Sequence, residues 1–460
     1  MPSPVSPPGG RCGARLSGAF PRHAPLSSRS AVQAHPTQAK VPMRITMLTF
    51  GTRGDVQPLV ALGRTLRGRG HDVRIGTAPS FRGLVEDAGL DFRAVEPPPG
   101  MREDLFSQPG MNAAIRKGPS FVRTVRSVQP PTDDEVVAMF EGMRAASADA
   151  DLVVTAPLTH IAGFTDPDRP WCSVSWIPMT ATRDFPAYQA KPRPWGGGYN
   201  RLTHRFFDTF QWTSMCWMAN KYVERVGGAA LKGTSRFGEI GRDRPLLYPF
   251  SDVVVPRPAD WPDQAHITGY WFHDREWWNP PADLADFVAQ APPVLLTLGS
   301  TWPVHDADRT VDWAVDAARG AGRPLVVVGG NDRELPDDVF RATEVDYAWL
   351  MPRCAAVVHH GGCGTAGSAL RAGIPQVTVP AVFDNPFWAR RMHGLGVGPA
   401  PLPLHRLTRD GLVAAVAESV ADDRMRERSA ALGEAMAGET GLATAADVVE
   451  KYLASTGTAA

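Results

Sequence analysis

Residues 359–376, His-His-Gly-Gly-Cys-Gly-Thr-Ala-Gly-Ser-Ala-Leu-Arg-Ala-Gly-Ile-Pro-Gln, set two adjacent histidines and five glycines between two hydrophobic runs. The residues 355–358 read as a buried strand, 365–372 as a short helix stopped by Gly373, and 374–380 as the next strand. A glycine-rich strand-to-helix turn lets a ligand approach the backbone, and the free N–H groups and dipole of the helix attract anions. Phosphate is the natural ligand for such a turn. Beside a diphosphate, the imidazole of His359 or His360 would donate a hydrogen bond to a charged leaving group. Gly362, Gly364 and Gly367 also spell G-x-G-x-x-G, and Asp384 follows Gly362 by 22 residues. That is the formal pattern of a dinucleotide fingerprint with its ribose-binding acid, and an NAD(P)-dependent oxidoreductase is one reading. Against it, at least two strands precede the turn in its series, and the fingerprint has no use for a histidine pair.

The elements that must hold this turn follow from the hydrophobic pattern. Residues 43–50 read as a strand, 51–55 (Gly-Thr-Arg-Gly-Asp) as its exit loop, and 56–70 as a helix with Val56, Leu59, Val60, Leu62 and Leu66 as its apolar set. Strands at 71–78 and 151–157 follow, and a second series opens at 293–300, continues at 323–330 and leads into the glycine turn. This alternation predicts an α/β chain of two Rossmann-like, doubly wound domains facing each other across a cleft, with ligands at the carboxyl ends of the strands. The expected divisions are a disordered extension over 1–42, a first Rossmann-like domain over 43–250, a Pro- and Trp-rich linker over 251–281, a second Rossmann-like domain over 282–430, and C-terminal helices over 431–460. Over 201–226, Phe206, Phe207, Phe210, Trp212, Met215, Trp217 and Met218 cover more than one helix face. A core helix fits that pattern, and so does an apolar wall for a greasy substrate.

Bulk properties narrow the class. The chain has 460 residues, too many for one ordinary core, with 43% hydrophobic residues and a formal net charge of zero. Zero net charge without a basic run argues against a nucleic-acid binder. Five cysteines with no CxxC spacing suit a reduced, cytoplasmic protein. No apolar run is long enough to span a bilayer. Residues 1–42 lack Asp and Glu, which fits a disordered extension or a transit peptide, with Met43 opening the fold.

Two longer stretches carry a family likeness. "YAWLMPRCAAVVHHGGCGT" and "VFDNPFWARRMHGLGVGP" resemble the nucleotide-sugar signature of GT-B glycosyltransferases, above all the sterol and antibiotic glucosyltransferases. "GTRGDVQPLVALG" resembles the family's acceptor-side loop and "LLYPFSDVVVPRPADWP" its linker, so the likeness runs from Met43 to about Gly398. The resemblance implies that Trp349 stacks on the nucleotide base and that His360 donates to the α-phosphate. It implies further that Gly362, Gly364 and Thr365 cradle the diphosphate, with Ser300 near it and His359 beside or bracing the loop. Asp384 and Asn385 would hold hydroxyls of the donor sugar. Many relatives carry Gln at the position of Asn385 and Gly at that of Phe383. The resemblance assigns Asp55 as the base that takes the acceptor's proton, although an aspartate at a helix start is also an ordinary cap. Arg53 would orient Asp55, and Phe210 and Trp217 would line the acceptor side.

The implied activity is inverting transfer of a sugar from a UDP- or dTDP-sugar to a hydroxyl of an apolar acceptor such as a sterol, terpenoid or polyketide-like product. The nucleotide sugar is a co-substrate, and the scheme calls for no cofactor and no metal. A non-catalytic nucleotide-sugar-binding relative is the remaining alternative, opposed by the intact GxRGD and HHGGxGT loops.

Overall fold

The computed structural model describes residues 42–457 apart from 119–122, 124–125, 234 and 276–277. The expected extension therefore lies outside the described residues, Pro42 excepted. Seven strands build the first sheet: β1 (Arg44–Leu48), β2 (Asp72–Thr77), β3 (Asp91–Ala94), β4 (Leu152–Thr155), β5 (Trp171–Val174), β6 (Leu246–Tyr248) and β7 (Ala265–Ile267). Their spatial order is β3-β2-β1-β4-β5-β6-β7, all parallel. The second sheet holds β8 (Val294–Thr297), β9 (Leu325–Val328), β10 (Val339–Ala342), β11 (Ala356–His359) and β12 (Gln376–Thr378). Its order is β10-β9-β8-β11-β12, again all parallel. Continuous apolar runs explain this: Val294–Thr297 is buried at every position because helices cover both faces of a parallel sheet.

Each sheet reverses its winding once. The chain runs outward from β1 through β3, then crosses to β4 on the other side of β1. It repeats the manoeuvre from β8 through β10, then crosses to β11. At such a point the loops leaving adjacent strands go to opposite faces and leave a crevice at the strands' carboxyl ends. The loops that carry Asp55 (after β1), Ser300 (after β8) and His360 (after β11) all start there.

The segment 251–281 differs from the linker expected. It contributes β7, the seventh strand of the first sheet, and Val254, Val255, Trp261, Tyr270 and Trp271 are at most 5% exposed. Short strands escape a periodicity reading, and prolines suit a final edge strand. Phe250 meets Trp388 edge-on at 5.5 Å, so one apolar cluster runs through both lobes at the floor of the cleft. The helix Gly196–Arg225 packs Trp212, Met215, Cys216, Tyr222 and Val223 inward, with Tyr222 stacked 5.2 Å from Phe140. Its centre is thus a core helix.

After the second sheet come helices Arg409–Ala421, Asp423–Met436 and Gly441–Gly457. The last returns to the first lobe, where Ala445, Ala446, Val449 and Leu453 join the core beneath β1. Arg69 fastens it through Asp447 (2.6 Å) and Glu450 (3.0 Å), and His71 also meets Glu450 at 3.1 Å. Leu453→Ala should therefore lower unfolding free energy by about 2–5 kcal/mol, read as a lower denaturant midpoint.

Candidate active site

The loop between β1 and the helix Arg53–Gly68 fixes Asp55 tightly. The Thr52 N–H (2.6 Å) and the Thr52 hydroxyl (3.0 Å) both donate to Asp55 Oδ2. Asp55 therefore serves the helix start, yet Oδ1 accepts no bond among the described residues and stays free for other work. Gly51 makes this possible: its φ is +110°, and a Cβ there would collide with the Asp55 carboxylate. Burial pushes the Asp55 pKa up to about 6, against the opposing pull of the two Thr52 bonds.

Across the crevice stands Asp384, immediately before the helix Asn385–Leu395. Burial and then the charge of Asp55 push its pKa up to about 7. That mutual influence brings the two carboxylates, 329 residues apart in sequence, into one site. Two interacting carboxyls titrate as a pair. Asn385 is 7% exposed, and its amide is spent locally, accepting from the Val382 N–H and donating to Asp384, each at 3.4 Å. These bonds tie its amide to the Asp384 loop. Phe383 holds φ +55°, a left-handed pose that favours glycine, and its ring sits 6.0 Å from Phe106 of the other lobe.

The two histidines divide their roles. His359 is fully buried, its Nδ1 accepts from the Gly361 N–H at 3.1 Å, and Nε2 faces Gln376 Oε1 at 3.0 Å. An acceptor on Nδ1 requires the proton on Nε2, so the ring is neutral and donates to Gln376. Both nitrogens are committed to the turn, and His359 braces it without reaching a ligand. Burial also pushes its pKa down to about 3. His360 is different: its Nδ1 is buried with no partner among the described residues. Burial pushes its pKa down to about 4, leaving a neutral ring. Glycines frame it, since a Cβ on Gly362 would strike the ring and one on Gly299 would lie 3.1 Å from it. Gly362 caps the helix Cys363–Arg371, Gly364 faces open space, and Thr365 is half-buried one residue further on. The amides of the first helical turn therefore point into the crevice beside His360, a cradle for an anion.

Other expected residues fall differently. Ser300 lies in the 3-10 turn Gly299–Val304, and Asp306, not Ser300, caps the following helix. Trp349, in the short helix Tyr347–Leu350, meets Trp278 edge-on at 5.8 Å, and the Arg353 guanidinium lies 4.4 Å over its ring. Arg53 does not orient Asp55. It bonds Gln57 at 3.1 Å and pairs with Glu344 of the other lobe at 2.8 Å. Phe210 is half-buried, while Trp217 is 50% exposed, with the Lys221 ammonium 5.7 Å over its ring. Asp-x-Asp triplets occur at Asp149 and Asp151, at Asp166 and Asp168, and at Asp306 and Asp308; in the second, Asp166 pairs with Arg169 at 2.8 Å.

Sequence reasoning missed three groups. Phe185 reaches across to Phe387 (6.1 Å), and Tyr188 feels the charge of Asp384, so the loop before the long helix enters the site. His305 is 4% exposed, neither ring nitrogen has a partner among the described residues, and burial followed by the charges of His360 and Arg116 pushes its pKa down to about 3. Lone residues in loops carry no periodic signal that could have revealed them.

Comparisons with known proteins agree with this geometry. Residues 45–161 match the glycosyltransferase family 28 N-terminal domain, and residues 327–454 match the erythromycin biosynthesis protein CIII-like C-terminal domain. The chain is 45% identical over 414 residues to O-mycaminosyltylonolide 6-deoxyallosyltransferase of Streptomyces fradiae, covering 89% of this chain and 97% of that one. It is 31% identical over 436 residues to a sterol 3-beta-glucosyltransferase of Arabidopsis thaliana, covering 90% of this chain and 66% of the relative. Among solved structures, the glycotransferase of kitacinnamycin superposes with a TM-score of 0.63 at 21% identity, covering 89% of this chain and 99% of that chain. SsfS6 of Streptomyces sp. SF2575, solved with thymidine diphosphate, gives 0.55 at 20% identity over 89% and 99%.

Two parallel α/β lobes with their switch points face to face define a glycosyltransferase of the GT-B type. The chain belongs to the UDP-glycosyltransferase superfamily and is a glycosyltransferase. The dinucleotide reading of the glycine turn is thereby corrected. The turn follows β11, the fourth strand of its sheet in chain order, where no Rossmann fingerprint sits.

Gly51→Ala should displace the Asp55 carboxylate and cost about 1–3 kcal/mol through its strained backbone. Turnover should fall steeply while affinity for a nucleoside diphosphate, measured calorimetrically, stays near that of the parent.

Proposed function

We propose that the chain is an inverting glycosyltransferase that moves a sugar from a UDP- or dTDP-sugar to a hydroxyl of an apolar natural-product acceptor, with Asp55 as general base. The observation that carries the reading is the opposition of Asp55 and Asp384 across the crevice, with an unpartnered His360 nitrogen on the loop that leaves β11. The acceptor hydroxyl gives its proton to Asp55 Oδ1 as its oxygen bonds to C1 of the sugar. The bond from C1 to the diphosphate breaks, and the electron pair leaves with the diphosphate. A single displacement inverts C1, so an α-linked donor yields a β-glycoside. The departing charge meets the amides at the start of the Cys363–Arg371 helix and a hydrogen bond from the His360 ring. Asp384 accepts from sugar hydroxyls, a role a carboxylate suits. Trp349 stacks on the base, and Ser300 and Thr365 add hydroxyls near the phosphates.

Two similarities favour the narrower choice of a dTDP-deoxysugar and a macrolide-like acceptor. One relative is an O-mycaminosyltylonolide 6-deoxyallosyltransferase, and one structural neighbour carries thymidine diphosphate.

Asp55→Asn should lower kcat by about 10²–10⁴-fold, with the dissociation constant of dTDP or UDP unchanged. In the parent enzyme the base must be ionised, so kcat/KM should rise with pH through about 6, the value to which burial lifts Asp55. That limb should vanish in Asp55→Asn; its persistence there would assign the proton transfer elsewhere. His360→Ala should weaken dTDP or UDP binding by about 10–100-fold, the worth of a hydrogen bond to a charged group, and leave thymidine or uridine binding alone. Equal losses for diphosphate and nucleoside would remove His360 from the phosphate site.

A further inference from the structure

The first half of the long helix Gly196–Arg225 carries a second apolar stripe, on the side away from the core. Trp195, Tyr199, Leu202 and Phe206 fall at i, i+4, i+7 and i+11, one helix face over three turns. The opposite side is the one that packs, through Asn200 (9% exposed) and His204 (4%). Trp195 is 68% exposed, Leu202 65% and Phe206 59%, the most exposed large apolar side chains among the described residues. Tyr199, Leu202 and Phe206, with the neighbouring 190–193 segment, border an open groove of about 540 Å³. Exposed patches of this kind mark binding surfaces.

Charge identifies the partner. Between Asp184 and Asp208 the sequence contains Lys191, Arg193, Arg201 and Arg205 and no acidic residue. Arg201 pairs with Asp260 at 3.3 Å, whereas Lys191, Arg193 and Arg205 have no carboxylate within ion-pair distance among the described residues. The Arg193 guanidinium lies 5.8 Å over the Trp195 ring, and Trp195 meets Tyr199 edge-on at 5.1 Å. Tryptophan, tyrosine and leucine on one side with unpaired cations beside them is the pattern of a helix lying in an anionic membrane interface. A two-fold contact with a second copy would set these cations against one another. The same segment leads from the groove into the cleft, through Tyr188 beside Asp384 and Phe185 against Phe387.

We propose that the 191–206 face docks the protein on an anionic lipid surface, from which an apolar acceptor passes along the 185–190 loop to Asp55. The acceptor passage rests on the glycosyl-transfer reading above; the docking does not.

The test is co-sedimentation of the full chain with vesicles of phosphatidylglycerol and phosphatidylcholine, against pure phosphatidylcholine, at low and high salt. Binding should require the anionic lipid and weaken as salt screens the cations. Trp195→Ser with Leu202→Glu should reduce it by about 10-fold or more, since both deleted groups enter the interface. Turnover of a water-soluble acceptor by that variant should match the parent, and circular dichroism should confirm its helix. Asp55→Asn should still bind vesicles, which separates failure of docking from failure of the catalytic reading. Absence of vesicle binding, or equal binding to neutral lipid, would overturn the proposal. So would a dimer that the variant dissolves, an acidic protein partner that competes for the face without lipid, or a raised KM for the soluble acceptor.

Discussion

Everything in this molecule depends on where a parallel sheet leaves its strand ends unattended. A parallel strand needs a covered crossover to its neighbour, and covering both faces forces the winding to reverse once. At the reversal two adjacent strands send their loops apart, and no helix can close the gap. Here β1 with β4 and β8 with β11 make two such gaps, and the lobes bring them mouth to mouth. The chemistry is then a matter of which side chains leave each gap first.

The residues in those gaps show how a short loop can cap a helix and keep a reactive atom free. Asp55 gives one oxygen to Thr52 and holds the other in reserve. His359 spends both nitrogens inside the turn so that His360, one residue on, spends none. The first imidazole buys rigidity for the second. Burial keeps both rings neutral and lifts both carboxyls, so neither imidazole brings a full positive charge to the diphosphate. The positive ends of amide dipoles do the work that a lysine cluster would otherwise do.

Much of this was legible in the sequence because it is local. Strand, glycine turn and helix follow one another within 18 residues at 359–376, and the GxRGD loop does the same around β1. What could not be read is what tertiary contact decides. Arg53 looked like a neighbour of Asp55, yet its partner Glu344 lies 291 residues away on the facing lobe. Asn385 looked like a sugar ligand by position, but its short amide closes on its own loop at 3.4 Å. Trp217 looked like a cleft residue, but a 30-residue helix with apolar residues on several faces gives no phase for deciding which face is inward. β7 hid among prolines and tryptophans, too short at three residues to alternate visibly. Phe383 is the converse case. Its left-handed backbone could not be read from a phenylalanine, a residue that seldom takes that pose.

The last helix has a mechanical consequence. The chain passes from the first lobe to the second near Tyr270 and comes back near Gly441, and these two crossings lie side by side: Gly441 sits against the backbone of Gly269 and Tyr270, and Glu439 bonds the Ser251 hydroxyl. Two covalent straps through one place join the halves along a single line, and that shared line helps to fix how the two carboxylates oppose each other.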